Sequence, residues 1–209
     1  GLRPLGPLTS CCRKIVGRFA PGSVSSQAMR LFLFAFLGVL AGSGPAFADQ
    51  TDARLDALFE QLRTGEAADA ETLAAEIDAI WTDSQSDTVD VLIARALESL
   101  EAQRFDLAVA LLDHAVGLSP NFAQGHALRG AARTASGDQA GAIEDFSRAI
   151  ELEPRHFEAR IALAEIMLAG GDDSGAYAML QKALEWNPHE PHARERARVL
   201  RQKLDGKEI

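Results

Sequence analysis

The sequence predicts an all-α solenoid, a stack of antiparallel helix pairs without strands. Three prolines carry the first observation: Pro120, Pro154 and Pro188 stand 34 residues apart. The second is a set of columns ahead of each proline. Ala115, Ala149 and Ala183 lie five residues before it, and Ala108, Ala142 and Ala176 lie twelve before it. Leu112, Phe146 and Leu180 lie eight before it, and Ala96, Gly130 and Ala164 twenty-four before it. The third is composition. The 209 residues are 47% hydrophobic, 24% charged and 6% aromatic. That is globular, and it excludes a disordered or collagen-like chain. A fixed period of this length is the mark of stacked supersecondary units.

Residues 1–48 read as a leader outside the fold. They hold no Asp or Glu and five of the 21 basic residues. Met29-Arg30 precedes an eleven-residue apolar run, Leu31 to Ala41. A spanning helix needs about 20 such residues. A basic start, a short apolar core and Ala46-Phe47-Ala48 compose a secretory signal with cleavage after Ala48. Residues 29–48 are therefore expected to be a signal peptide, and residues 1–28 an over-extended N-terminus upstream of Met29. Beyond Ala48, 16 basic residues face 30 acidic ones, a net charge of −14. Both cysteines, Cys11 and Cys12, fall in the leader, so the remainder has none to mis-pair in an oxidising periplasm. The expected location is periplasmic or secreted, in a bacterium, with no stable membrane span after cleavage.

Residues 49–88 are expected to form a divergent helix pair. Leu55, Leu58, Phe59 and Leu62 fall at helical spacing, as do Leu73, Ala74, Ile77, Ile80 and Trp81. Gly65 marks the turn between them. The pair looks like a fourth repeat that lacks its closing proline, and Ser84-Gln85-Ser86-Asp87 links it onward. Three repeats follow, at 89–122, 123–156 and 157–190. Each small column is where two helices must approach closely, and each large residue fills the space beside it. Each proline ends a second helix, because it lacks an N–H and clashes with the preceding turn. Gly137-Asp138 and Gly171-Asp172 mark the inner turns, and the first copy departs with Gln103-Arg104. Residues 191–209 carry Ala193, Ala197, Val199, Leu200 and Leu204 among charged neighbours, which suits a solenoid cap with a polar outer face.

These columns resemble the tetratricopeptide repeat (TPR), whose unit is a 34-residue helix-turn-helix. The resemblance covers residues 89–190 and implies a right-handed superhelix whose first helices line a concave groove. It also implies that the second, fifth, ninth and twelfth positions of each repeat face that groove. Here those are Asp90, Ile93, Leu97 and Leu100; Gln124, Ala127, Ala131 and Thr134; and Glu158, Ile161, Glu165 and Leu168. The peptide-groove candidates are Ile93, Leu97, Leu100, Ala127, Ala131, Ile161, Glu165 and Leu168. The set is mostly apolar or small, which suits a partner helix or extended peptide with apolar anchors. It lacks the Lys and Asn residues by which some members of this family hold a chaperone's terminal carboxylate. The same residues, above all Leu97, Leu100 and Leu168, would also serve as core or lie beneath the chain's own end helices.

No catalytic constellation appears: there is no G-x-S-x-G, no P-loop and no cysteine nucleophile beyond the leader. His189-Glu190-Pro191-His192 lacks the i, i+4 helical spacing of a metal pair. No cofactor and no metal are expected. The acidic balance disfavours nucleic acid. Arg95, Arg129, Arg133 and Arg160 form either a basic stripe or partners for Asp145, Glu98 and Glu165. The function expected is a non-catalytic scaffold or adaptor that binds a protein or peptide. The alternative is a structural subunit that self-assembles or docks through its edges, with Trp186 as a contact.

Overall fold

A computed structural model describes residues 52–206. The expected signal peptide at 29–48 and the segment before it lie outside the described residues. Among the described residues there are nine α-helices and no strand. They are α1 Arg54–Thr64, α2 Ala70–Thr82, α3 Asp87–Glu101, α4 Phe105–Leu118, α5 Ala123–Ser136, α6 Gln139–Leu152, α7 Phe157–Ala169, α8 Asp173–Leu184 and α9 Pro191–Asp205.

The repeat columns do what their sizes require. Helices α3 and α4, α5 and α6, and α7 and α8 pair, and each pair packs on the next through α4–α5, α6–α7 and α8–α9. Ala96, Ala108, Ala115, Ala142, Ala149, Ala164, Ala176 and Ala183 are all buried, as are Leu112, Phe146 and Leu180. The largest knob sits opposite the smallest hole. A Cβ on Gly130 would lie 3.0 Å from the Phe146 ring. In the flanking repeats a leucine faces an alanine instead, Leu112 with Ala96 and Leu180 with Ala164. Volume is conserved across the pair, as close packing demands.

Turn chemistry closes each unit. Gly137 and Gly171 adopt φ of +91° and +82°, where a side chain is strained. Asp138 and Asp172 then cap the next helix by accepting from the Gly141 and Gly175 N–H groups. In the first repeat Gln103 takes the glycine's place at φ +58°. Helices α4 and α6 stop two residues before Pro120 and Pro154, and α8 stops four before Pro188. Helix α9 starts with Pro191 in its first turn and buries Ala193, Ala197 and Leu200 against Ala164, Ala176 and Leu180. Lys203 pins it to Asp173 at 2.7 Å.

The N-terminal pair does not stack ahead of α3 as a fourth repeat would. Helices α1 and α2 pack on each other, and α2 packs on α5. The reason lies on α3. The face of α5 that meets α4 holds Gly125, close to Val116, and Ala132, buried in the shared core. The matching positions on α3 are Val91, 51% exposed, and Glu98, with Arg95 also exposed between them. A second repeat seated there would have to take those charges out of water. The pair buries its stripe elsewhere. Leu55, Phe59, Leu62, Ile77, Ile80 and Trp81 form one cluster with Phe157 and Ala183, and Ile161 and Trp186 pack against it.

Candidate functional site

The groove positions of the repeat lie on α3, α5 and α7, and the N-terminal pair covers two of them, Gln124 and Ile161. Over the starts of α5 and α7 the groove is filled. The Phe59 ring lies 5.7 Å from Trp81, 6.5 Å from Phe157 and 5.7 Å from Trp186. Trp81 stacks on His156 at 4.5 Å. Arg155 holds its guanidinium 5.0 Å over Phe59 and pairs with Asp56 at 2.6 Å and Glu153 at 2.8 Å. The buried Glu153 carboxylate also accepts the Arg155 backbone N–H.

A chain of hydrogen bonds runs beneath Trp81 and ends on the Asp78 carboxylate. The Ala159 N–H donates to His156 Nδ1 at 3.3 Å. His156 Nε2 then donates to Gln124 Oε1 at 2.9 Å, and Gln124 Nε2 donates to Asp78 Oδ1 at 3.2 Å. With Nδ1 accepting, the ring must carry its proton on Nε2. Burial, with the Arg160 charge adding to it, pushes the His156 pKa down to about 3. Beside this chain, burial and then the charges of Asp78 and Glu190 push the Glu158 carboxyl up to about 8. Trp81 Nε1 is buried in the same seam with no hydrogen-bond partner among the described residues.

The candidate residues fall into three places. Ile93 and Ala127 are buried core. Ile161 lies against the N-terminal pair. Leu97, Leu100, Ala131 and Leu168 are half-buried along the remainder of the first helices and take no part in the cluster under α1 and α2. Glu165, also half-buried, pairs with His192 at 3.1 Å and Arg196 at 3.2 Å, which ties the groove's far end to α9.

The arginines do not form a free stripe. Arg129 donates to Asp145 at 2.9 and 2.6 Å, and Arg133 donates to it at 3.0 Å. Asp113 takes the other side of Arg129 at 2.9 Å. Burial opposes ionisation of Asp145, yet its hydrogen bonds and the two arginine charges hold the carboxyl below its usual range. Arg160, on α7, is buried and donates to the His156 carbonyl oxygen at 3.4 Å, and Arg95 is exposed. The His189–His192 segment is spent on structure: Glu190 caps α9 through the Ala193 N–H, and His192 meets Glu165. Among the described residues no group of three or more His, Cys, Asp or Glu side chains could hold a metal. Nor is any described helix long and apolar enough to cross a membrane.

The tetratricopeptide repeat model matches residues 133–198. A TPR repeat-containing protein of Rhizobium etli is 32% identical over 154 residues, covering 73% of this chain and 76% of that protein. The chain belongs to the tetratricopeptide repeat family. Among solved structures, the TPR domain of Sgt2 from Aspergillus fumigatus has a TM-score of 0.55 at 20% identity. It covers 59% of this chain and 83% of that one. The Yersinia enterocolitica type III secretion chaperone SycD, in complex with a peptide of the translocator YopD, has a TM-score of 0.53 at 20% identity. It covers 56% of this chain and 95% of that one. At this identity the likeness is one of fold.

Within this TPR array the repeat register located the concave surface but not its filling. Gln124 and Ile161 fall at groove positions of the repeat, and both meet the N-terminal pair. His156 and Phe157 carry no such signal. They sit where α7 begins, at the positions that hold Phe122 and Ala123 one repeat earlier. Trp186, expected at an outer edge, is spent inside, against Phe59 and beneath Arg63, whose guanidinium lies 6.0 Å from the indole.

Proposed function

We propose that this TPR protein is a non-catalytic adaptor of the cell envelope that binds a protein or peptide segment along its concave surface. One observation carries the reading. The rest of the groove presents Leu97, Leu100, Ala131 and Leu168, half-buried and apolar, outside the cluster that the chain's own helices fill. Apolar positions at helical spacing along a concave wall suit the anchors of an amphipathic helix. The filled part supports the same reading, since it accepts such a helix pair through aromatic anchors. SycD, similar in fold, takes up a peptide of YopD. The envelope assignment is supported by the acid-free leader, the apolar run after Met29-Arg30 and the absence of cysteine beyond Ala48.

The test is capture from an envelope extract on the immobilised chain, beside a variant carrying Leu97→Glu and Ala131→Glu. A protein held by the wild type and released by the variant is the expected result. Equal retention on both would move the binding surface away from the groove. Fractionation of cells carrying the tagged chain tests the location, and recovery in the cytoplasm would overturn it.

A further inference from the structure

The repeat register continues one helix beyond the third repeat, and there its chemistry changes. The fourth, eighth and eleventh positions are Leu92, Ala96 and Ser99 in α3 and His126, Gly130 and Arg133 in α5. They are Arg160, Ala164 and Met167 in α7, and Arg194, Arg198 and Arg201 in α9. In the three repeats the eighth position is small and buried, because the second helix of the pair lies on it. On α9 that position is Arg198, and all three arginines are exposed. No helix follows α9 among the described residues. A helix could not seat there as in the repeats, since an arginine stands where the axes would have to converge.

A cleft of about 560 Å³ remains between α8 and α9. Tyr177 and Leu184, both half-buried, and the buried Ala197 supply its apolar surface, and the three arginines line it. Arg198 is steadied by Glu195 at 2.7 Å, and Arg201 lies 3.8 Å from Asp205. Arg194 makes no ion pair with the described residues. The charged side chains that line the cleft are these three arginines and one carboxylate, Glu195, on a chain of net charge −9. None of these residues belongs to the concave set.

We propose that this cleft binds an acidic segment of a partner protein. Its carboxylates would lie on Arg194, Arg198 and Arg201, and an apolar side chain would lie on Tyr177 and Leu184. Charge complementarity selects the occupant, since a cationic patch on an acidic body attracts anionic groups and little else. Guanidinium forks suit carboxylates in paired geometry. The apolar surface selects a side chain, which neither a bare phosphate backbone nor a headgroup supplies. The acidic remainder of the chain repels long polyanions and anionic membranes.

Fluorescence anisotropy of the full chain with a labelled acidic peptide bearing two leucines tests this. Saturable binding is expected, weakening steeply with salt. The double variant Arg194→Glu, Arg198→Glu should bind roughly 100-fold more weakly, about tenfold for each guanidinium removed. The lysine variants should fall between, because the charge remains and the fork is gone. Leu97→Glu should leave this binding unchanged, which separates the cleft from the concave groove. All of these side chains are exposed or half-buried, and far-UV circular dichroism checks that each variant folds. Equal binding by the glutamate variant, no binding at all, or loss only with Leu97→Glu would overturn the proposal. So would tighter binding of single-stranded DNA or of vesicles rich in anionic lipid than of the peptide.

Discussion

The repeat body from α3 to α8 and the N-terminal pair α1–α2 are both amphipathic helices packed on a neighbour, yet they are held by different means. The body is assembled from small residues and one large one per unit, and every partner lies within about one repeat along the chain. The pair is held by rings and by charges far apart in sequence: Phe59 on Phe157 and Trp186, Asp78 on Gln124, Asp56 on Arg155. A column of alanines allows only one spacing and so repeats itself. An aromatic cluster fills whatever space is open, and on this molecule that space lies over Phe157, Ile161, Ala183 and Trp186.

If the two regions are separate in this way, breaking them should look different. Phe59→Ala removes the ring at the centre of the seam and should cost about 3–5 kcal/mol of docking. Hydrogen exchange should then quicken in α1 and α2 while α5 to α8 keep their protection. A uniform loss across all nine helices would show that the pair is part of one cooperative unit. Asp145→Ala strikes the body instead. It removes the buried carboxylate that Arg129 and Arg133 share, leaving them the exposed Asp113, and should cost about 2–4 kcal/mol, read as a lower urea midpoint for the repeats.

A pH titration separates the two regions again, because the seam titrates and the alanine columns do not. The Glu158 carboxyl, raised to about 8 by burial and by Asp78 and Glu190, favours the folded state when protonated. Its contribution is complete below the ordinary carboxylate range and is lost as pH climbs through about 8. His156, lowered to about 3, runs the other way. Its contribution is complete above the usual histidine pKa and is lost as pH falls toward 3. Between pH 6.5 and 8 only Glu158 is changing, so stability should fall by roughly 1–2 kcal/mol. The Glu158→Gln variant should flatten that slope, and an unchanged slope would remove Glu158 from the seam's energetics.

The smallest effect lies at the one turn that breaks the repeat pattern. Gln103 occupies the left-handed position that Gly137 and Gly171 hold in the other repeats. Gln103→Gly should stabilise the first repeat by about 1 kcal/mol, seen as a higher melting temperature. A loss of stability would mean that the Gln103 side chain makes an interaction worth more than the strain.

Much of this was legible residue by residue. The 34-residue spacing of Pro120, Pro154 and Pro188 marked the repeats, and Ala142 with Phe146 marked which faces meet. Asp145 could be read as the partner of Arg129 and Arg133, because a carboxylate and two cations lay on helices that the register already placed together. Leu97 and Ile93 could not be told apart. Both are apolar, both fall on the concave register, and one is core while the other is half-exposed. Burial depends on what lies across the groove, which no local pattern encodes.

The repeat body and its turns follow from the period in the chain. Those depend on contacts between residues at most about one repeat apart, and a period makes such contacts visible. Where α1 and α2 lie follows from packing across the assembled array. Leu55, Phe59, Leu62 and Trp81 announce a face that must be buried, but a hydrophobic stripe does not name its partner, because apolar burial is non-directional. The choice fell to the charged open face of α3, which the register already places, and to the ring-sized space beside Phe157 and Trp186, which exists only once the solenoid has formed.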